Sequence, residues 1–391
     1  MQERLKRLDS KKIVLCVTGS IAAVECVKLA RELKRHGAEV RAMMSKASCE
    51  ILHPYAMEFS TGKEVVTHLT GKIEHVTLAD YDLILICPAT ANTISKVALG
   101  IGDTPITTLA LSCLQRIPML IVPAMNLKLW ENPLLQENIS ELCNLGVRFL
   151  SPRIEEGKAK LSDIHEITYS VMKSLSKKDF SKKRVLVTAG PTLEEIDDVR
   201  FISNRSSGRM GIAIAEEFDL RGAEVKLILG RTSEKTFVEN LVRIETFDEM
   251  YQTVFEDINF DVFVLASAIS DFKPEKTRGK LSSDKDFSLR FSPNKKIISD
   301  LRGKTDSTIV GFKAEFDVTE ELLVQKAKEK LERSGCDLIV ANDVGKEKRG
   351  FAVETNEVFL VTKEQVEHIP LCTKKEIAQK LLDFIGENLM N

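Results

Sequence analysis

Two stretches of this 391-residue chain concentrate side chains that could handle anions and heteroaromatic rings. The first opens at VTGSIAA, where Gly19 and Ser20 end an apolar run and precede a helical pattern. Free backbone N–H groups and the helix dipole at such a point attract a phosphate. The GxGxxG spacing of a dinucleotide site is missing, which favours a mononucleotide. Farther along, CPATANT and VPAMNLKLW each carry an apolar run into polar residues. Thr90 and Asn92 offer donors and acceptors to a ring, and the only Trp, Trp130, lies just beyond Asn126. The second stretch, VTAGPTLEEIDDVRFISNRSSGRMG, brings Ser206, Ser207 and Gly208 to the start of an amphipathic pattern. That arrangement suits a di- or triphosphate, although a plain helix cap is the alternative.

The elements that must position these residues follow from periodicity. In the N-terminal half, KIVLCVT, AEVRAMM, DLILICP, IPMLIVP and VRFL alternate with helical stretches such as SIAAVECVKLARELKRHG. The C-terminal half repeats that grammar with KRVLVTAG, AEVKLILG, DVFVLASA, STIVGFKAE, CDLIVAND and EVFLVT, and TEELLVQKAKEKLERSG is an amphipathic helix between strands. Such alternation predicts α/β architecture with helices covering parallel sheets. The expectation is two Rossmann-like, doubly wound domains, the first flavodoxin-like, over residues 1–178 and 179–391. The charged run SLSKKDFSKKR, residues 174–184, is the expected linker. Both phosphate-binding candidates then stand at strand carboxyl ends, where open α/β sheets bind ligands.

Composition narrows the ligands. The length suits two hydrophobic cores. The 56 basic and 58 acidic side chains leave a formal charge of -2, which argues against a broad nucleic-acid or membrane-surface footprint. No apolar run approaches membrane-spanning length and the first residues lack a signal-peptide pattern, so a cytoplasmic location is expected. Eight cysteines stand mostly inside apolar patterns without a CxxC pair, predicting reduced core thiols rather than disulfides or zinc.

GSIAA, His75 in EHVTLAD, PATANT and PAMNLKLW together resemble the homo-oligomeric flavin-containing cysteine decarboxylases, most closely those acting on phosphopantothenoylcysteine. The resemblance spans residues 12 to about 150. It implies FMN, with phosphate contacts from Gly19, Ser20 and Ser45 and ring contacts from Ala89, Thr90, Asn92 and Thr107. It also implies His75 as a base, in what reads as a strand end, and Asn126 as a holder of the substrate carboxylate. An amino-acid carboxylate has nowhere to put the electrons left by departing CO2. Oxidation of the cysteine moiety to a thioaldehyde supplies that sink, and the flavin carries the redox chemistry. Family members commonly place a reactive Cys on a Gly-rich flap; the corresponding SPRIEEGKAKLSDIHE has none. Lys158, another group or water is the expected proton donor there, against a merely solvated loop.

The segment ending in SSGRMG, followed by SAISDFKPEKTRGKLSS, GFKAE and CDLIVANDV, resembles the phosphopantothenate-cysteine ligases over residues 184 to about 360. The resemblance implies CTP, which converts the substrate carboxylate to an acyl cytidylate that the cysteine amine then attacks. Asn204 would hold that intermediate and Lys280 would stabilise developing charge. Nucleotide contacts would come from Ser206, Ser207, Gly208, Asp271, Lys295, Lys296, Ile297, Ile298, Phe312 and Lys330, although Lys295 and Lys296 replace the family's Pro-Asp. Mg2+ is implied by the triphosphate, with water and phosphate oxygens supplying most ligands and Asp271 binding either the ribose or a metal ion. In many organisms the two activities share one chain in this order, with 4'-phosphopantothenate and cysteine as substrates. A dodecamer built from trimers of the flavin domain and dimers of the ligase domain is the implied assembly. The rivals are a flavin or nicotinamide oxidoreductase and a non-catalytic flavin-binding assembly subunit.

Overall fold

Apolar runs too short to form helices become the parallel strands of two separate sheets. The computed structural model describes residues 5–282 and 288–390. The chain divides into two compact units, Met1–Ser176 and Lys177–Asn391.

In the first unit the five-stranded parallel sheet runs Glu39–Met44, Lys12–Val17, Leu83–Ala89, Met119–Pro123, Arg148–Phe149 in space. Numbered along the chain, the order is 2-1-3-4-5, the flavodoxin-like winding, whose switch point lies between the first and third strands. Every residue of LILICPA is buried, as a central strand covered on both faces requires. The predicted helix after Gly19 is broken into a 3-10 turn, Ile21–Glu25, and an α-helix, Cys26–Arg35.

The second unit holds an eight-stranded sheet in the order Leu241–Arg243, Glu224–Leu229, Arg184–Ala189, Val262–Leu265, Thr308–Glu315, Leu338–Asp343, Thr355–Val361, Val366–Thr373. The first six strands are parallel with Rossmann order 3-2-1-4-5-6, and the last two pair antiparallel. One face is packed by helices Arg209–Leu220 and Lys374–Asn388, the other by Phe247–Glu256, Ile297–Arg302 and Glu320–Ser334.

The charged run expected to be a linker is largely folded. Helix Ile164–Leu175 extends into it, and Phe180 is 2% exposed within the second core, edge-on to Phe218 at 5.0 Å. Arg221 lies over Phe180 and pairs with Asp179 and Asp383, the latter at 2.9 Å. Charge density hid one apolar anchor. All eight cysteines are free; Cys143 is exposed, Cys49 and Cys372 are partly so, and the other five are buried.

Candidate active sites at two sheet edges

At the switch point of the first sheet, Thr18 ties two strand ends together. Its hydroxyl donates to the Pro88 carbonyl at 2.7 Å and accepts from the Thr90 N–H at 3.0 Å. Gly19 is needed for closeness, since a Cβ there would stand 2.6 Å from Ala47 Cβ. Ser45 caps the turn that carries Ala47, accepting from Ser48 N–H at 3.2 Å. Ser20 leads the 3-10 turn without a side-chain cap bond. Three sequence-predicted residues, Gly19, Ser20 and Ser45, thus meet on adjoining turns. Ala89 ends its strand fully buried, Thr90 caps helix Ala91–Ala98, and Asn92 is exposed in that helix's first turn rather than in a loop.

His75 departs from the strand-end reading. It lies on the short helix Glu74–Thr77, entered through Ile73 at φ 47°. Thr70 donates its N–H (2.8 Å) and its hydroxyl to Glu74, and these hydrogen bonds hold that carboxyl down to about 2. The turn before His75 is therefore locked by an acid. His75 Nδ1 is buried without a hydrogen-bond partner among the described residues. The His75 helix packs on Pro105–Cys113, whose Thr107 is 1% exposed and has its hydroxyl engaged in a capping box with Thr104.

The flap is a hairpin, exposed over most of its length, with Ala159 buried. Arg153–Glu155 and Lys158–Lys160 form a hairpin turned at Glu156 and Gly157, both with positive φ, as a type I′ turn demands. It pairs onto Met125–Asn126, with Asn126 opposite Lys158 in register. Directly opposed residues share a face of the ladder. Asn126 Oδ1 accepts from Leu129 N–H at 2.9 Å, which turns the amide's NH2 to other partners. Lys160 instead pairs with Glu155 and Glu156.

In the second unit, the carboxyl edge of the sheet opens into a cleft of about 860 Å³. Asn204, Ser206, Ser207, Gly208, Asp271, Lys296, Ile297, Ile298, Phe312 and Lys330 all line it. A hairpin, Leu193–Glu195 with Phe201–Ser203, separates the first strand from its helix and delivers Asn204. The Asn204 amide donates to the carbonyls of Ala268 (3.0 Å) and Ile269 (3.2 Å). Helix Arg209–Leu220 starts at Gly208, φ 80°, with no side-chain cap, so its first N–H groups face the cleft end of the strand. Gly211 lets it approach: a Cβ there would lie 2.5 Å from Ala189 Cβ.

Charge is arranged on the opposite face. Lys330 donates to the Phe312 carbonyl at 2.7 Å, and burial with the nearby Lys313 cation pulls its ammonium below the usual lysine range. Asp271 pairs with Lys296, while Glu315 pairs with Lys313 (2.8 Å) and Lys326 (2.7 Å). Among the described residues there is no group of three or more His, Cys, Asp or Glu able to cage a metal.

Two expected nucleotide contacts are not in the lining. Lys295 holds its ammonium 4.9 Å over the Tyr251 ring, because adjacent residues at a helix entry point in different directions. Lys280 is exposed on residues 279–281, which are pinned to the hairpin turn: Gly279 N–H donates to Asp198 at 2.8 Å and Leu281 N–H to Asp197 at 3.1 Å. Ser283, the last residue of the GKLSS motif, lies outside the described residues. Sequence reasoning missed Lys326, Arg333, Phe351 and Lys374, which also line the cleft. The helical spacing of Lys326 and Lys330 was the one available signal.

Residues 1–176 match the family model described as Flavoprotein, and residues 180–389 match the DNA/pantothenate metabolism flavoprotein C-terminal domain. The bifunctional coenzyme A biosynthesis protein CoaBC of Thermococcus kodakarensis is 49% identical, covering 98% of this chain and 97% of the relative. Its counterpart in Methanocaldococcus jannaschii is 39% identical over 97% and 94% of the two chains, and that of Vibrio vulnificus 33% over 97% and 98%. No helix among the described residues is long and apolar enough to cross a membrane.

Proposed function

Because the chain belongs to the CoaBC family of bifunctional coenzyme A biosynthesis proteins, we propose that its two units perform consecutive steps, ligation in Lys177–Asn391 and decarboxylation in Met1–Ser176. The substrates are 4'-phosphopantothenate, cysteine and CTP, and the product is 4'-phosphopantetheine. The observation that carries the reading is the ligase cleft: Asn204, Ser206, Asp271, Lys296, Phe312 and Lys330, from separate segments of sequence, converge on one cavity.

In the cleft a carboxylate oxygen of 4'-phosphopantothenate attacks the α-phosphorus of CTP, and pyrophosphate leaves. The amine of cysteine then attacks the acyl carbon and CMP departs. Phe312 packs on the base, while Lys296, Lys326 and Lys330 meet negative charge developing on the phosphates, the kind of prearranged electrostatics that lowers such barriers. Gly208 and the N-terminus of Arg209–Leu220 take phosphate oxygens. Asn204, held by two carbonyls, keeps the acyl nucleotide in place. For Lys280 the motif-derived role in phosphate stabilisation requires reach from its exposed, pinned position. Mg2+ would be carried mainly by triphosphate oxygens and water, since the described residues hold no group of three or more candidate ligands.

The first unit fits FMN by its unspent groups: Ser20 makes no cap bond and the buried His75 Nδ1 has no partner among the described residues. Gly19, Ser20 and Ser45 would hold the phosphate, and Ala89, Thr90 and Asn92 the ring, with Thr107 shaping the wall behind. When bound, FMN supplies a two-electron acceptor and donor. His75 takes the cysteine thiol proton, the Asn126 amide donates to the carboxylate, and Lys158, opposite it, returns a proton to the enethiol carbon. A closed redox cycle needs no nicotinamide, which separates this reading from an oxidoreductase. Association through trimers and dimers into a dodecamer is the assembly we propose. Incubation with 4'-phosphopantothenate, cysteine, Mg2+ and either CTP or ATP tests all of this. Pyrophosphate, CMP and CO2 are expected with CTP; hydride exchange with NAD(P)H and no CO2 would refute it.

A further inference from the structure

The motifs leave the C-terminal helix without a role, yet its first residue reaches the ligase cleft. Lys374 lines that cleft although only 6% of it is exposed. Its ammonium donates to the carbonyls of Gly350 (2.9 Å) and Val353 (2.7 Å). Both carbonyls belong to the connection 345–354, which gives Gly350 and Phe351 to the cleft wall. Lys348, Gly350 and Ala352 all have positive φ there. Left-handed conformations at non-glycine residues persist only where surroundings impose them.

Those surroundings are side chains. Asp343 accepts from the Gly345 N–H at 2.8 Å and Asn356 from the Gly350 N–H at 3.2 Å. Arg209 donates to the Ala352 carbonyl at 3.3 Å and pairs with Glu354 at 2.9 Å. Lys374 grips two carbonyls in the middle of the connection. Burial and the Arg209 cation push its ammonium down to about 8, so this cation is kept here against its solvation preference.

We infer that Lys374 is a positioning residue of the ligase: it fixes the wall made by Gly350 and Phe351 and so shapes the lobe that receives 4'-phosphopantothenate. The inference rests on the ligase reading. The cleft crosses the sheet edge, with Lys296, Phe312, Lys326 and Lys330 on the side of helices Ile297–Arg302 and Glu320–Ser334. Arg209 and Lys374, at the starts of helices Arg209–Leu220 and Lys374–Asn388, hold the connection that carries Phe351 on the other side. Two ligands must meet in one cavity before an acyl nucleotide can form. The lysine-rich lobe and the helix start at Gly208, at the sheet edge between the two sides, match the triphosphate of CTP, which leaves the lobe walled by Phe351 for 4'-phosphopantothenate, whose gem-dimethyl carbon suits an aromatic wall.

The test compares the full chain with Lys374→Met and Lys374→Arg. In pyrophosphate release, Lys374→Met should raise KM for 4'-phosphopantothenate by about tenfold or more, with kcat and KM for CTP held within about twofold. Lys374→Arg should recover much of the loss, and CO2 release from added phosphopantothenoylcysteine should be unchanged. Trypsin should cut after Lys348 and Arg349 faster in Lys374→Met, because the wall opens. Equal collapse of kcat and both KM values, or unaltered KM and trypsin rates, would overturn the inference. If the unsubstituted chain releases no pyrophosphate, the ligase reading fails and the substrate assignment with it. The trypsin comparison still decides whether Lys374 holds the wall.

Discussion

On the proposed reading the two chemistries draw on His75 and Lys330, and each owes its character to its surroundings. His75 Nδ1 is buried without a partner among the described residues, which leaves it free to meet a ligand. His75→Asn should slow CO2 release by about a hundredfold or more while phosphopantothenoylcysteine accumulates, followed by mass spectrometry of the products. Lys330→Met should give the reverse, with pyrophosphate release lost and CO2 release from added intermediate kept. Glu74 makes the His75 turn sensitive to acid. Its carboxyl lies at about 2 rather than the ordinary 4.5, so the stability it contributes is full above about pH 4.5 and lost as pH falls toward 2. A Glu74→Gln chain should therefore be less stable than the parent at pH 7, with the gap closing below pH 4.5 in denaturant titrations.

At the scale of elements, the strands were the most legible part of the sequence. LILICPA, KIVLCV and LIVAND are buried throughout or nearly so, and a run apolar on both faces can be little else. Less was legible where tertiary pairing, not local pattern, makes the structure. The flap hairpin 153–160 exists because it pairs with Met125–Asn126, and the edge strand Val366–Thr373 shows mostly polar or exposed residues. His75 read as a strand end for the same reason: a four-residue helix has too little periodicity to register. In the second unit, motif residues on strand ends and helix starts line one cleft, whereas Lys280 and Lys295 lie beside it because their segments are held by Asp198 and Tyr251. Glycine at close approaches was readable only in retrospect. Gly211→Ala should press the helix off Ala189, cost about 1–3 kcal/mol in the second unit and weaken nucleotide binding, measurable by calorimetry.

For the whole molecule, the division at Ser176 and Lys177 gives each chemistry its own hydrophobic core. The second core begins earlier than its first strand, at Phe180 beneath Arg221. A fragment of residues 177–391 should therefore fold and ligate, while one starting at 185 should lose about 3–5 kcal/mol, as for deletion of a buried Phe, in thermal or denaturant unfolding. On the proposed reading the ligation product is the decarboxylation substrate. The most direct measurement follows both from one tube: FMN-loaded chain and its His75→Asn variant, given 4'-phosphopantothenate, cysteine and CTP, with pyrophosphate and CO2 timed together. Equal pyrophosphate rates, with CO2 released only by the parent chain, are the predicted result. Loss of pyrophosphate release in the variant, or CO2 from neither chain, would contradict two independent sites.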